Sequence, residues 1–527
     1  MVTLFLSFLS LYAAILFLSL GTGLYNTFIA LYLTQNSVSE VWVGLLMAAY
    51  YGGLVMGART GNKLIVYTGH IRAYAISAAI VTVMVLLQTI VPDIRAWLAF
   101  RFIVGMAMVT QYMVLESWLN EQSESHTRGS IFSFYMIMSS LGLVLGQASV
   151  SVFPVLDHTP LSVVAIATAL CLIPVAMTRR VHPVIQSHAP IKLQVFIRLV
   201  PISMFILFVA GCITGTFYSL APVYGVKQGM DTSQVALFLS VCVIAGLLFQ
   251  WPIGWLSDRI DRVKLIGINV LLLGIFTIPL YGYWEIPFSL FLVLVAFIGI
   301  LQFTIYPLAT AFANDHVEPT MRVGLSGVLL MVYGVGAALG PVVAGKLMDG
   351  GGPQMFYIFT SVCAFVLTAF ISRQKVSGKY RVPQEAFVPM PIDVQPAPAV
   401  IDLDPRIDRS IDISADSEQM DKVMEQLKAD EEEERLEQER LEQEKREQER
   451  LEQERQEEER LAAEKLAEEK LPDDFAAEES LVQAAETGLS ENPAAVNEMA
   501  SYPSGPDNDG QGKSDVEDGD PDLVRAV

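Results

Sequence analysis

Apolar residues in this chain come in long unbroken runs, not in alternation. Twelve such runs, at about 4–33, 41–60, 72–91, 95–119, 130–154, 160–178, 196–224, 232–256, 264–283, 287–313, 323–348 and 353–372, are separated by short polar breaks. The breaks hold turn and interface residues, among them Pro92-Asp93, Asp157-His158-Thr159-Pro160 and Glu285-Ile286-Pro287. A helix needs about 20 apolar residues to cross roughly 30 Å of hydrocarbon, and every run reaches that length. A closed barrel would show alternating segments of about ten residues, so the spans are helices. The pattern predicts an all-α polytopic membrane protein with twelve transmembrane helices, the first of them a retained helix without a signal-peptide cleavage pattern.

Beyond Ser372 the pattern changes. Residues 373–416, rich in Pro, Asp and Val, have no periodicity and read as a disordered linker. Residues 417–471 carry Arg or Lys at every fifth position from Arg435 to Lys470, between runs of Glu and Gln. Five matches neither 3.5 nor 3.6, so Leu436, Leu441, Leu451 and Leu461 wind around a helix without forming a seam. Two readings stay open, a solvated single α-helix held by i,i+3 and i,i+4 ion pairs, or a coiled coil. Pro472 ends it, and 472–527 reads as a disordered acidic tail.

Charge follows the same division. Residues 1–372 carry 16 Lys/Arg and 13 Asp/Glu, and the remainder carries 19 and 43. The formal net charge of −21 therefore belongs to the tail and says nothing of what the apolar body binds. Within the body, cations cluster in one set of loops: Lys63 and Arg72, Arg128, Arg179 to Arg198, Arg259 to Lys264, and Arg322. The other set holds Arg95, Lys227 and Lys346. The positive-inside rule makes the first set cytoplasmic and, with twelve spans, puts both termini there. The four cysteines, Cys171, Cys212, Cys242 and Cys363, all lie in apolar runs and read as small buried hydrophobes, not as a disulfide or zinc framework.

The body also repeats. A shift of 192 residues places Tyr32 on Tyr224, Val43 on Val235, Leu64 on Leu256 and Arg72 on Lys264. A shift of 194 places Arg128 on Arg322, Gly142 on Gly336 and Gly146 on Gly340. Two six-helix halves of the same orientation result, 1–180 and 196–372, joined by a cytoplasmic linker at 181–195.

The densest motif is Gly254-Trp-Leu-Ser-Asp-Arg-Ile-Asp-Arg-Val-Lys264, a basic hairpin between two apolar runs. Its first-half counterpart, 62–69, keeps Leu64 and Gly69 but has Val66 and Tyr67 where the second has Asp258 and Arg259. Arg101 lies six residues beyond Arg95, about 9 Å along the fourth helix, and so falls inside the hydrocarbon. A cation there faces a bundle interior or a cavity, unless it snorkels. Glu116, about 31 Å from Arg95, reaches the cytoplasmic side, where it is expected to join a charge network with Arg128, as Asp315 is with Arg322. Gly142-x-x-x-Gly146 and Gly336-x-x-x-Gly340-Pro341 have the small-residue spacing that allows close helix packing.

The 254–264 hairpin and Arg101-Phe-Ile-Val-Gly105 resemble the inter-helix and fourth-helix motifs of the major facilitator superfamily (MFS). Leu24-Tyr-Asn-Thr27, Trp97-Leu-Ala-Phe-Arg-Phe102, Leu115-Glu-Ser117 and Gln250-Trp-Pro-Ile-Gly254 are most similar to its YcaD-like branch. The resemblance implies an MFS fold of two parallel six-helix bundles that rock in alternating access. It implies a cytoplasmic latch at Gly254, Asp258, Arg259 and Arg262, with Asp258 accepting hydrogen bonds at a neighbouring helix N-terminus. Asp261 departs from the family's usual Gly. The implied cavity is lined by helices one, four, seven and ten, whose polar and aromatic residues include Asn26, Gln111, Tyr218, Gln302 and Tyr306 beside Arg101. Each alone also suits a helix–helix hydrogen bond; together they suit a small polar or anionic solute.

No phosphate loop, metal-ligand cluster or nucleophile elbow occurs, so neither an enzyme nor a cofactor is expected. The function expected is secondary transport of a small solute across a bacterial inner membrane, with import or export left open. A proton or sodium ion is the candidate coupling ion. The other reading is a transporter-derived scaffold or solute sensor whose tail recruits a cytoplasmic protein. Nucleic acid is not an expected partner.

Overall fold

A computed structural model of the chain describes residues 8–121, 128–153, 155–177, 193–282, 285–317, 321–373, 387 and 416–468. Its helices are α1 (Leu9–Gln35), α2 (Glu40–Thr68), α3 (His70–Ile90), α4 (Ile94–Glu121), α5 (Arg128–Ser149), α6 (Thr159–Leu170), α7 (Leu172–Ala176), α8 (Leu193–Leu199), α9 (Pro201–Lys227), α10 (Thr232–Ser257), α11 (Arg262–Thr277), α12 (Phe288–Asn314), α13 (Arg322–Gly351), α14 (Met355–Arg373) and α15 (Asp416–Glu468). Twelve spans among the described residues are long and apolar enough to cross a membrane, with α6 and α7 forming the sixth in two pieces.

Several helices outrun the apolar segments that announce them. The second span, expected over 41–60, continues as α2 through Asn62 and Lys63 to Thr68, where Gly69 turns the chain at φ +80°. Gly254 lies inside α10, so the loop between α10 and α11 shrinks to residues 258–261. Hydropathy marks the hydrocarbon, whereas a helix ends where its backbone is capped. Asp261 supplies such a cap, its carboxylate accepting from the N–H groups of Val263 and Lys264. Asp231 and Gln234 form a reciprocal capping box at the start of α10. The linker is also helical at its end, because α8 precedes the seventh span and stops at Pro201.

The two halves fold alike. In the first, α1 packs on α5, α2 on α4 and α3 on α6; in the second, α9 packs on α13, α10 on α12 and α11 on α14. Glycines let these pairs approach. A Cβ at Gly142 or Gly146 would run into the carbonyls of Leu16 and Leu20 on α1, and one at Gly336 or Gly340 into those of Phe208 and Cys212 on α9. The repeat shifts carry each of these contacts onto its counterpart, which ties the sequence repeat to one packing solution used twice. Gly105 against Tyr50 and Gly299 against Cys242 are related in the same way.

Cys171, Cys212 and Cys242 are buried as expected, but Cys363 is half-buried, because α14 turns part of its surface outward. The twelve spans lie in one compact unit, Met1–Glu431; a second, Glu432–Val527, holds the larger part of α15. Along α15, pairs such as Arg440–Glu444, Arg450–Glu454 and Arg455–Glu459 sit one turn apart, and Leu436, Leu441, Leu451 and Leu461 are exposed. The expected disordered linker at 373–416, apart from residues 373, 387 and 416, and the acidic tail at 472–527 lie outside the described residues.

Candidate functional site

The halves meet chiefly through α2 against α13, α5 against α10 and α1 against α9. The first two pairs exchange under the repeat, as a pseudo-two-fold interface requires. The α2–α13 contacts lie toward one end of the bundle. Gly44 meets the carbonyl of Pro341, Gly345 meets that of Glu40, and a Cβ on Gly334 would touch Val55 at 3.6 Å. At that end the Glu40 carboxylate, buried at 5 % exposure, pairs with the Lys227 ammonium of the other half. Asp349 of α13 accepts from the Ser39 hydroxyl at 2.5 Å and the Glu40 N–H at 3.1 Å. The N-terminus of α2 is thus capped from the opposite half, where a carboxylate is favoured by the helix dipole. At the other end of α2, Val66 and Tyr67 are exposed.

Inside the first half, Arg101 is 2 % exposed. Its Nη2 donates to Asn26 Oδ1 at 3.0 Å, and its guanidinium lies 4.1 Å from the Tyr25 ring centre and 5.5 Å from that of Tyr50. Aromatic faces stabilise a cation without neutralising it. Nε and Nη1 have no hydrogen-bond partner among the described residues, and no described carboxylate pairs with them. Tyr25 donates to Gln88 Oε1 at 2.7 Å, which fixes the ring under the guanidinium. A small void lined by Thr22, Tyr25, Asn26 and Tyr50 adjoins this cluster.

The other predicted cavity residues each pack on near neighbours. Gln111 is fully buried, its amide donating to Met108 Sδ and accepting from the Cys171 thiol. Tyr218 packs on Phe303, Gln302 is buried beside it in sequence, and Tyr306 sits edge-on to Tyr333 at 4.8 Å. The structure brings Asn26 and Arg101 into direct contact.

The hairpin after α10 carries the second charge cluster. Arg262, wholly buried, donates through Nη1 to Asp315 Oδ2 at 2.5 Å and through Nη2 to Asp258 Oδ1 at 2.8 Å. Asp258 caps the C-terminal end of α10 and not a neighbouring helix N-terminus. Arg259 lies outside the network, stacked on Trp255 at 3.7 Å with Nη1 on the Trp255 carbonyl. Charge at 259 and at 262 looks equivalent in sequence; burial separates them. Asp315 thus has Arg262 as a partner, and the Arg322 expected near it is likewise buried. Glu116, five residues before the end of α4, is fully buried and accepts from the Tyr135 hydroxyl at 2.7 Å. The Arg128 side chain expected beside it lies outside the described side chains.

Sequence reasoning missed Glu40, Ser39 and Asp349, which look like ordinary interfacial residues until the halves meet. Lys227, one of few cations on the sparse side, was the available signal.

Two six-helix halves that repeat one packing thus form the membrane-spanning body. The chain belongs to the Major Facilitator Superfamily, whose family profile matches residues 11–281 and 204–401. An uncharacterised MFS-type transporter of Enterobacter sp. (strain 638) is 27% identical over 377 residues, covering 71% of this chain and 97% of the relative. The uncharacterised MFS-type transporter YcaD of Salmonella newport (strain SL254) is 27% identical over 368 residues, covering 69% and 94%, which supports the YcaD-like branch. Among solved structures, the nucleoside transporter NupG matches with TM-score 0.60 at 17% identity, over 70% of this chain and all of its own. A bacterial homologue of the human lysosomal transporter Spinster, inward-facing and occupied, matches at 0.55 and 14% identity, over 69% and 95%. At these identities the likeness is one of fold.

Proposed function

We propose that the protein is a secondary active transporter that carries a small solute across a bacterial inner membrane by alternating access. The observation that carries this reading is the one-ended seam: α2 meets α13 near Glu40, Lys227 and Asp349, and the same helix continues to exposed Val66 and Tyr67. A rocking motion about such a seam exchanges the closed end for the open one. On the positive-inside reading the hairpin-bearing face is cytoplasmic, along with both ends of the twelve-span body, and the sealed face is periplasmic.

The solute carries an anionic group that docks at Arg101. A buried guanidinium with two donor nitrogens unused and no described carboxylate beside it is costly to keep in hydrocarbon, and an incoming anion offsets that cost. Asn26 and the Tyr25 and Tyr50 rings hold the guanidinium in place. A proton or sodium ion accompanies the solute, and the direction follows from the coupling gradient.

The test is uptake of a panel of radiolabelled carboxylate, phosphate and neutral solutes into proteoliposomes, for the wild type and Arg101→Gln. The reading expects at least one anionic solute to be carried, with a roughly 10–100-fold loss in the variant, the size of one or two charge-assisted hydrogen bonds. Transport of neutral solutes alone, or full activity in Arg101→Gln, contradicts the anionic assignment.

A further inference from the structure

Phe387 lies 14 positions beyond Arg373, the last residue of α14, and it meets the hairpin after α10 twice. Its backbone N–H donates to Asp258 Oδ1 at 2.9 Å, the same oxygen that accepts from Arg262 Nη2. Its ring covers Gly254 so closely that a Cβ there would fall within the ring's own atoms. The two contacts are independent, one polar and one apolar, and lie one helical turn apart on α10. Gly254, expected from sequence as part of the latch, here seats an aromatic side chain from beyond the last span.

We propose that the end of α10 is a docking surface for this extension, with Phe387 as the anchor, and that the docked residue wedges the hairpin-bearing face open. The anchor fits the surface chemically. Gly254 leaves a flat apolar patch on the helix, and Asp258 presents a carboxylate oxygen to a backbone donor, so affinity comes from the main chain and selectivity from the ring. The wedge follows from the symmetry of the seam. α5 packs on α10, and the turn at Val150–Val152, which follows the C-terminal end of α5, touches it too. Closing the hairpin-bearing face brings the far ends of the same pair together, the start of α5 and the Gly254 end of α10. Phe387 occupies that end of α10 and has to leave before it is covered.

The family profile reaches residue 401, so Phe387 lies within the matched region, close to the end of the transport body. Its contact bears on the rate of the conformational cycle, whatever the solute.

The full-length protein in lipid nanodiscs tests this without a substrate. With p-benzoylphenylalanine at position 387, illumination and peptide mass spectrometry should give intramolecular adducts within residues 250–259. Gly254→Val, whose side chain takes the ring's place, should lower their yield at least fivefold. In Phe387→Ala, a variant outside the spans, amide exchange over 254–262 should rise severalfold while α1 is unchanged. Spin labels at Ser130 and Ile260, with Cys363→Ser, should shift toward shorter distances in the same variant. Adducts elsewhere or between chains, an exchange pattern that ignores Phe387→Ala, or an unchanged distance distribution would each overturn the proposal.

Discussion

Arg262 and Asp315 form the most deeply buried ion pair described in this protein, with Nη1 and Oδ2 at 2.5 Å and side-chain exposures of 0% and 1%. The pair ties the start of α11 to the end of α12, and Asp258 adds a second carboxylate to the same guanidinium. Removing one member strands the other in a low-dielectric site, at a cost of roughly 3–5 kcal/mol. Arg262→Ala should therefore lower the thermal unfolding temperature of the purified protein sharply. Arg259→Ala should change stability by about 1 kcal/mol at most, because that guanidinium stacks on exposed Trp255 and bonds its carbonyl at the surface. Equal effects of the two substitutions would contradict the assignment.

Asp258 is a third exposed and connects Arg262 with the Phe387 backbone. Asp258→Asn keeps an acceptor of the same shape and removes the charge. It should leave the melting profile near wild type while slowing solute flux. Wild-type flux in this variant would remove Asp258 from the conformational latch.

The glycine contacts give a stability test with an internal control. Gly146→Ala and Gly340→Ala place a methyl against a backbone carbonyl of the neighbouring helix, which cannot yield without moving the helix. Each should cost about 1–3 kcal/mol in thermal unfolding. Gly350→Ala, where nothing lies within 4 Å, should be neutral within about 0.5 kcal/mol. A wild-type melt for Gly146→Ala would mean that α1 and α5 are not as close as described.

A peptide spanning 416–468 should be helical and monomeric, because its leucines form no continuous stripe and its stability rests on exposed i,i+4 pairs worth about 0.2–0.5 kcal/mol each. Circular dichroism should show helicity falling as salt rises, and sedimentation should give a single chain. A concentration-dependent dimer would favour the coiled coil. As a straight helix its 53 residues reach about 80 Å.

Twelve spans, two halves and their repeat were legible in the sequence because each rests on periodic signals: run length, loop charge and matched shifts such as Gly142 with Gly336. Arg101 was legible because a cation in hydrocarbon is rare. Its partners Tyr25 and Tyr50 were not, since an aromatic residue on an apolar helix gives no sign of which neighbour it faces. The hairpin was found but its roles were misassigned: Arg259 and Arg262 differ in burial, and burial depends on how α11 sits against α12. Glu40, Lys227 and Asp349 depend on the meeting of elements up to 309 positions apart, which no local pattern records.

The central claim is that solute passes only when the seam at Glu40 and Asp349 opens. Ser39→Cys with Asp349→Cys places two thiols where a hydroxyl and a carboxylate now touch. Flux of a carried anion through proteoliposomes holding this variant should stop when the pair is oxidised to a disulfide and return on reduction, with single-cysteine controls unaffected. Flux that continues through the cross-linked protein would show that the seam is not a gate and would contradict alternating access about it.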